Sequence, residues 1–169
     1  HTHVFWGDER FVPHDHTDSN YSAAYDALLR HVAIPDHHIH PIPYIAGDPK
    51  AAARNYATSL TQVLGNSPIA DLTFLGLGDD AHTASLFPGT DAVHAEGLVT
   101  VVETAAKGTR ISLTASALSH SRTVAFLVAG EKKRQALADT LDDHHDIDRY
   151  PAQAISAQEQ LMWLTDVQL

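Results

Sequence analysis

The chain has 169 residues, 44% hydrophobic and 19% charged, and its 21 acidic against 11 basic side chains give a formal net charge of -10. That length supports one domain with a real core, and the acidic balance opposes nonspecific attraction to nucleic-acid phosphates or anionic membranes. No cysteine is present, which excludes disulfides, zinc–thiolate centres and cysteine nucleophiles; with no apolar run of membrane-spanning length and no signal-peptide pattern, a cytoplasmic protein is expected.

In chain order, His3 to Trp6 reads as a short strand running into Gly-Asp-Glu-Arg, and residues 7–19 read as a polar loop that closes at Ser19, an N-cap residue. Tyr21, Ala24, Tyr25, Leu28 and Val32 recur at helical spacing until Pro35 stops the pattern. Pro41, Pro43 and Gly47 mark a loop. Asp48 followed by Pro49 is a cap and a first-turn proline, with Ala53, Tyr56, Ala57, Leu60, Val63 and Leu64 on one helical face before Gly65. Leu72, Phe74, Leu75 and Leu77 are nearly continuous in their hydrophobicity, as in a parallel strand buried on both faces. Strands follow at Leu98–Val102, Arg110–Leu113 and Thr123–Ala129, then a basic helix opened by Gly130 and Glu131, and a weaker strand at Leu161–Leu164. Alternating strands and helices predict an α/β fold: three α/β/α layers around one continuous, mostly parallel sheet.

The apolar run ends in Gly76 and Gly78, where the backbone turns sharply or approaches a ligand closely. Ligands of such sheets lie beyond the carboxyl ends of the strands, which is where Asp79, Asp80 and His82 fall. The competing reading is a strand-to-helix loop with solvated polar residues.

Six ordered stretches carry a family resemblance: Trp6 to Arg10 (Trp-Gly-Asp-Glu-Arg), Asp18 to Asn20, Leu75 to Gly89 with its His-Thr-Ala-Ser-Leu-Phe-Pro-Gly, Arg110 to Thr114, Gly130 to Lys133, and Tyr150 to Ala152 with Trp163 to Asp166. Together they make the chain resemble the 6-phosphogluconolactonases, over essentially its whole length. The resemblance implies hydrolysis of 6-phosphogluconolactone to 6-phosphogluconate in the oxidative pentose phosphate pathway, on a Rossmann-like fold and with no organic cofactor. Residues 1–169 then correspond to the C-terminal two thirds or so of the family's domain, without its upstream Gly-rich strand-to-helix loop, so the first strands and some phosphate-binding amides are expected to be missing. A second departure is Ala81, where the family usually has Gly. If the turn needs a positive φ there, Ala costs roughly 1 kcal/mol or more and can displace His82.

Lactone hydrolysis asks for a base, oxyanion donors and a cationic grip on the phosphate. His82 is the expected base, since an imidazole titrating near ~6.5 is largely neutral at cytosolic pH, and a helix N-terminus beneath it would disfavour the imidazolium further. Asp80 is expected to orient the ring. Asp79 reads as a solvated turn residue. Asp8 and Arg10 face the same crevice by resemblance, while Glu9 alternates away. Arg110 and Lys133 are the family-matched phosphate ligands, with Lys132 and Arg134 on a solvated helix face. Backbone amides near Gly76 to Asp80 are the expected oxyanion donors.

Two other functions compete. A glucosamine-6-phosphate deaminase would use the same pocket with an acidic base such as Asp8, and a non-catalytic domain would only bind sugar phosphates weakly. The 13 histidines cluster at His1 and His3, His14 and His16, His37, His38 and His40, and His144 and His145, but none has helical metal-ligand spacing, so no metal site is expected. The small-molecule sugar phosphate is the expected partner, with the protein a monomer or weak homodimer.

Overall fold

A computed structural model describes residues 2–65 and 70–168. Its elements are β1 (Val4–Phe5), β2 (Asp8–Arg10), α1 (Asn20–Ala27), β3 (Ile39–His40), α2 (Pro49–Leu64), β4 (Ala70–Gly76), β5 (Val99–Thr104), β6 (Gly108–Leu113), α3 (Ala115–Ser119), β7 (Ser121–Val128), α4 (Arg134–Leu141) and β8 (Gln160–Thr165), joined by turns and short 3-10 segments. No helix among the described residues is long and apolar enough to cross a membrane.

The helix starting at Asp48 forms as its sequence dictates. The Asp48 carboxylate accepts from the Ala51 N–H at 2.8 Å, Pro49 occupies the first turn, and Ala52, Ala53, Tyr56 and Leu60 are buried. Tyr56 ties this helix to β1: its hydroxyl donates to the Trp6 carbonyl and accepts from the Trp6 N–H, each at 2.8 Å. Val63, assigned to the buried face, lies on the exposed side. Helix α1 starts as expected, with Ser19 capping the Ser22 N–H, but it ends at Ala27 rather than running to Val32. Leu28 leaves helical geometry and a 3-10 turn over Leu29–His31 buries Leu29 instead.

Among the described residues three sheets replace the expected continuous one. β4, β7 and β8 form a parallel sheet in the order β4-β7-β8, β1 pairs parallel with β3, and β2, β6 and β5 form an antiparallel sheet in the order β2-β6-β5. The antiparallel part has a simple cause. Only Ala105 to Lys107 separate β5 from β6, and a parallel pair needs a crossover of a dozen or more residues. Residues 8–10, read as loop, are a strand. Their polar side chains hide it, because the strand borders a cleft rather than a core.

On the parallel sheet Val124, Phe126 and Val128 face one core with Leu75, Leu118 and Leu137, and Trp163 stacks on Phe126 at 4.0 Å. Each such large side chain contributes roughly 1.5–3 kcal/mol by burial. The opposite face carries Leu72, Phe74, Leu127 and Leu164, which are exposed; Phe74 is 61% accessible. The expectation of burial on both faces therefore fails: Leu75, and Leu77 just beyond the strand, are buried, whereas the opposite face with Leu72 and Phe74 is exposed. A second core, with Trp6, Ile42, Tyr56 and Ile111, joins α2 to the antiparallel sheet.

Candidate active site

At the carboxyl end of β4 the chain reverses within a few residues. The Gly78 N–H donates to the His82 carbonyl at 2.8 Å, the Ala81 N–H donates to the Gly78 carbonyl at 3.1 Å, and the Thr83 hydroxyl donates to the Gly76 carbonyl at 2.8 Å. Ala81 sits at the crest with φ +60°, in the left-handed region, and Ala84 follows at φ +48°. The positive φ anticipated at Ala81 is thus present. It has not moved His82 off the cleft wall. No helix follows the turn, which corrects the helix N-terminus expected beneath the imidazole and removes that argument for its neutrality.

Gly78 is indispensable for a different reason from φ. A Cβ on it would lie 2.0 Å from His82 Nδ1 and 2.7 Å from an Asp80 carboxylate oxygen, so only glycine lets ring and acid pack on this backbone. Gly76 has open space where a Cβ would go and contributes its carbonyl and its place on the cleft wall. The Gly78 amide is spent on His82, which strikes it from the expected oxyanion donors.

Asp80 and His82 form a direct pair through His82 Nδ1, and the same carboxylate oxygen accepts from the His82 N–H at 3.3 Å. Burial works against the Asp80 charge, but the hydrogen bond and charge of His82 and the backbone N–H groups outweigh it and hold the carboxyl below its usual range. An ionised carboxylate only accepts, so Nδ1 is the nitrogen that carries a proton in this pair, and in the neutral tautomer so fixed the lone pair is on Nε2. The ring stands 4.9 Å from Phe87.

The opposite wall comes from β2 and β6. Glu9 is 3% accessible and accepts from the Ser19 hydroxyl and from the Asn20 and Tyr21 N–H groups at 2.7–3.1 Å, which ties the start of α1 to β2. Strand alternation then turns Asp8 and Arg10 to the cleft. Asp8 accepts from the Ser85 hydroxyl at 2.6 Å, and burial pushes its carboxyl above the ordinary value despite that bond and the nearby Arg10 and Arg110. The Asn20 amide N–H donates to the Asp8 carbonyl and carboxylate at 2.9 and 3.2 Å, leaving its oxygen to accept from the Arg10 guanidinium.

Arg10 lies directly opposite Arg110 across the antiparallel ladder. Like charges in that position destabilise a sheet. Burial together with Arg10 lowers the Arg110 pKa, and the carboxylates of Asp8, Glu9 and Asp18 offset only part of that.

His82, Asp8, Arg10, Arg110 and Lys133 all line one cleft of about 460 Å3, together with Gly76 and Gly78. Asp80 stands behind the ring and off the cleft wall. Lys133 precedes α4 in a 3-10 turn instead of lying in the first turn of an α-helix, and it pairs at 2.5 Å with Asp79, which is exposed as a turn residue is expected to be but has this cation as a partner. Arg134 pairs with Glu131. Sequence reasoning gave no role to Asn20, Ser85, Phe87 or Lys107, which also line the cleft; only the first three lie in stretches that carried the resemblance, and Lys107 lies in a turn with no pattern.

His3, His38 and His40 stack at the edge of β1 and β3, away from the cleft, with His3 Nδ1 2.9 Å from His40 Nε2. His1 lies outside the described residues. Among the described residues no three His, Asp or Glu side chains are arranged to hold a metal ion.

A family model described as glucosamine-6-phosphate isomerases/6-phosphogluconolactonase matches residues 1–163. The 6-phosphogluconolactonase of Synechocystis is 43% identical over 170 residues, a match covering 98% of this chain and 71% of the relative. The crystal structure of 6-phosphogluconolactonase from Thermotoga maritima superposes with a TM-score of 0.86 at 29% identity, over 96% of this chain and 72% of that one. A monomeric glucosamine-6-phosphate deaminase shares the fold, with a TM-score of 0.80 at 18% identity over 97% of this chain and 72% of its own. The fold, the turn after β4 and these likenesses agree, and the chain belongs to the glucosamine-6-phosphate isomerase/6-phosphogluconolactonase family.

Proposed function

We propose that this cleft hydrolyses 6-phosphogluconolactone to 6-phosphogluconate, with His82 as general base. The observation that carries the reading is the imidazole fixed by Asp80 on the same cleft as Arg10, Arg110 and Lys133. A δ-lactone is an activated ester, so water needs only a positioned proton acceptor. His82 Nε2 takes the proton, the water oxygen bonds to the lactone carbonyl carbon, and the carbonyl electrons move onto oxygen. As the tetrahedral intermediate collapses the ring C–O bond breaks, and the imidazolium returns its proton to the leaving ring oxygen, which becomes the hydroxyl of the open acid. Asp80 stabilises the transient imidazolium.

Arg10 and Arg110 grip the phosphate dianion, aided by Lys133, and gather an anion into an otherwise acidic protein. Asp8 acts through Asn20: by fixing the amide it presents the Asn20 oxygen to Arg10. Incubating the purified chain with freshly generated lactone tests the reading. Release of 6-phosphogluconate faster than the buffer-driven decay is expected, and decay matching buffer would overturn it.

The deaminase reading keeps one supporting observation, the half-buried Asp8 with its raised pKa at the cleft. Ammonia release from glucosamine 6-phosphate would favour it over the lactonase.

A further inference from the structure

The four cations of the cleft are not equivalent. Arg10, Arg110 and Lys107 have no Asp or Glu within ion-pair distance among the described residues, whereas the Lys133 ammonium lies 2.5 Å from Asp79. Lys133 is mostly shielded, with 27% of its side chain accessible, while Asp79 is 69% accessible and stays off the cleft wall. The carboxylate therefore reaches the lysine from the rim and neutralises the cation that the segment after β7 contributes to the cleft lining. Asp79 also belongs to the turn that carries Asp80 and His82. The pair thus joins the base-bearing turn to the anion-binding side.

The geometry points to Asp79 as an internal competitor for the phosphate: it occupies Lys133, and an incoming phosphoryl group must displace or share that ammonium. This rests on the reading of Lys133 as a phosphate ligand and adds to it a residue that sets how tightly substrate and product are held. Its energetic scale is that of an exposed ion pair, so the competition is worth about two- to fivefold in anion affinity. A competitor weakens binding and speeds release of a phosphorylated product. A carboxylate that merely aimed Lys133 into the cleft would do the reverse. The sign of the effect therefore decides between the two roles.

The test is titration of the full chain with inorganic phosphate at low ionic strength, followed by amide NMR shifts of the cleft residues. Asp79→Asn is nearly isosteric at an exposed position, and it is expected to tighten phosphate binding about two- to fivefold. Asp79→Glu should return affinity toward the parent value. In a Lys133→Ala background, Asp79→Asn is expected to have no effect, which separates a local pair from a general change of field. If Lys133→Ala weakens phosphate binding but Asp79→Asn leaves it unchanged or weaker, the competitor role fails and the phosphate assignment stands. An equal gain from Asp79→Asn with and without Lys133 also overturns it. If Lys133→Ala leaves phosphate affinity unaltered, Lys133 leaves the anion site and both readings fall together.

Discussion

The two walls of the cleft are built by different physics. The wall with His82 is local: Gly78, Asp80, Ala81 and His82 fix one another through hydrogen bonds two to four residues apart in the chain, at the end of β4. The wall with the arginines is non-local: Arg10 meets Arg110 only because β2 pairs with β6, and Asp8 meets Ser85 across 77 residues. The local wall has no room for error in backbone or Cβ. The non-local wall has cations with solvent access and alternative partners. Damage to the first should therefore abolish turnover, and damage to the second should mainly weaken binding.

The largest effect is expected at the local wall. His82→Ala should lower kcat by roughly 100-fold or more, the usual worth of a general base. Gly78→Ala should come close to it although it removes no functional group, because the new Cβ would sit 2.0 Å from His82 Nδ1 and force the ring away. Steady-state kinetics with a circular dichroism check on folding decides the matter. A folded Gly78→Ala variant with parental kcat would show that the pair does not need this backbone approach.

At the other wall Arg110→Ala should raise KM about tenfold or more, as expected for loss of a charge-assisted hydrogen bond to a phosphate, with a much smaller change in kcat. The same substitution removes a like charge from directly opposite Arg10, so it should raise thermal stability by roughly 0.2–1 kcal/mol. Binding lost together with stability gained would mark Arg110 as a residue kept for its ligand. Weaker binding accompanied by lower stability would make it a structural strand residue instead.

This contrast also explains what could be read without a structure. The placement of the His82 wall was legible because its residues are nearly consecutive: an apolar run, two glycines, then Asp80 and His82. Helix α2 was legible for the same reason, its cap and its first-turn proline being adjacent. Strand β2 was not, because Asp-Glu-Arg has no strand-like hydrophobic alternation, and Glu9 is buried for the bonds its carboxylate makes to the start of α1 rather than for any apolar surface. The antiparallel sheet and the role of Asn20 were missed likewise, since register and amide orientation depend on partners distant in sequence. The exposure of Leu72 and Phe74 could not be foreseen from hydrophobicity, which reports what a strand can bury rather than what covers it.

A smaller effect should appear in the pH dependence of stability. Asp8 has its folded-state pKa raised above 3.8 by burial, so the folded chain binds more protons than the unfolded one in the interval between the two values. Its contribution is fully present below about 3.8 and is lost as pH rises through the raised folded value. Denaturant melts of the parent chain should show this loss, and Asp8→Asn should flatten it. A contribution that grew with pH would place Asp8 among the well-solvated, paired carboxylates and undo its role on the non-local wall.

The smallest effect separates strain from packing at the local wall. Ala81 holds φ +60°, which costs an L-residue roughly 1–2 kcal/mol, yet its methyl group is 1% accessible within the core around Leu86 and Phe126. Ala81→Gly relieves the first cost, but it forfeits about 0.8 kcal/mol of burial and adds about 0.4–1 kcal/mol of unfolded-chain entropy. The terms nearly cancel, so the melting free energy should move by less than about 1 kcal/mol. Ala81→Val has no such offset: a β-branched residue is an outlier at positive φ, and the added volume has nowhere to go, so a loss of about 2 kcal/mol or more is expected. A large gain from glycine would mean that strain dominates this turn and that the chain tolerates it for the sake of His82. A large loss would mean that the methyl group, rather than the backbone, holds the turn in place.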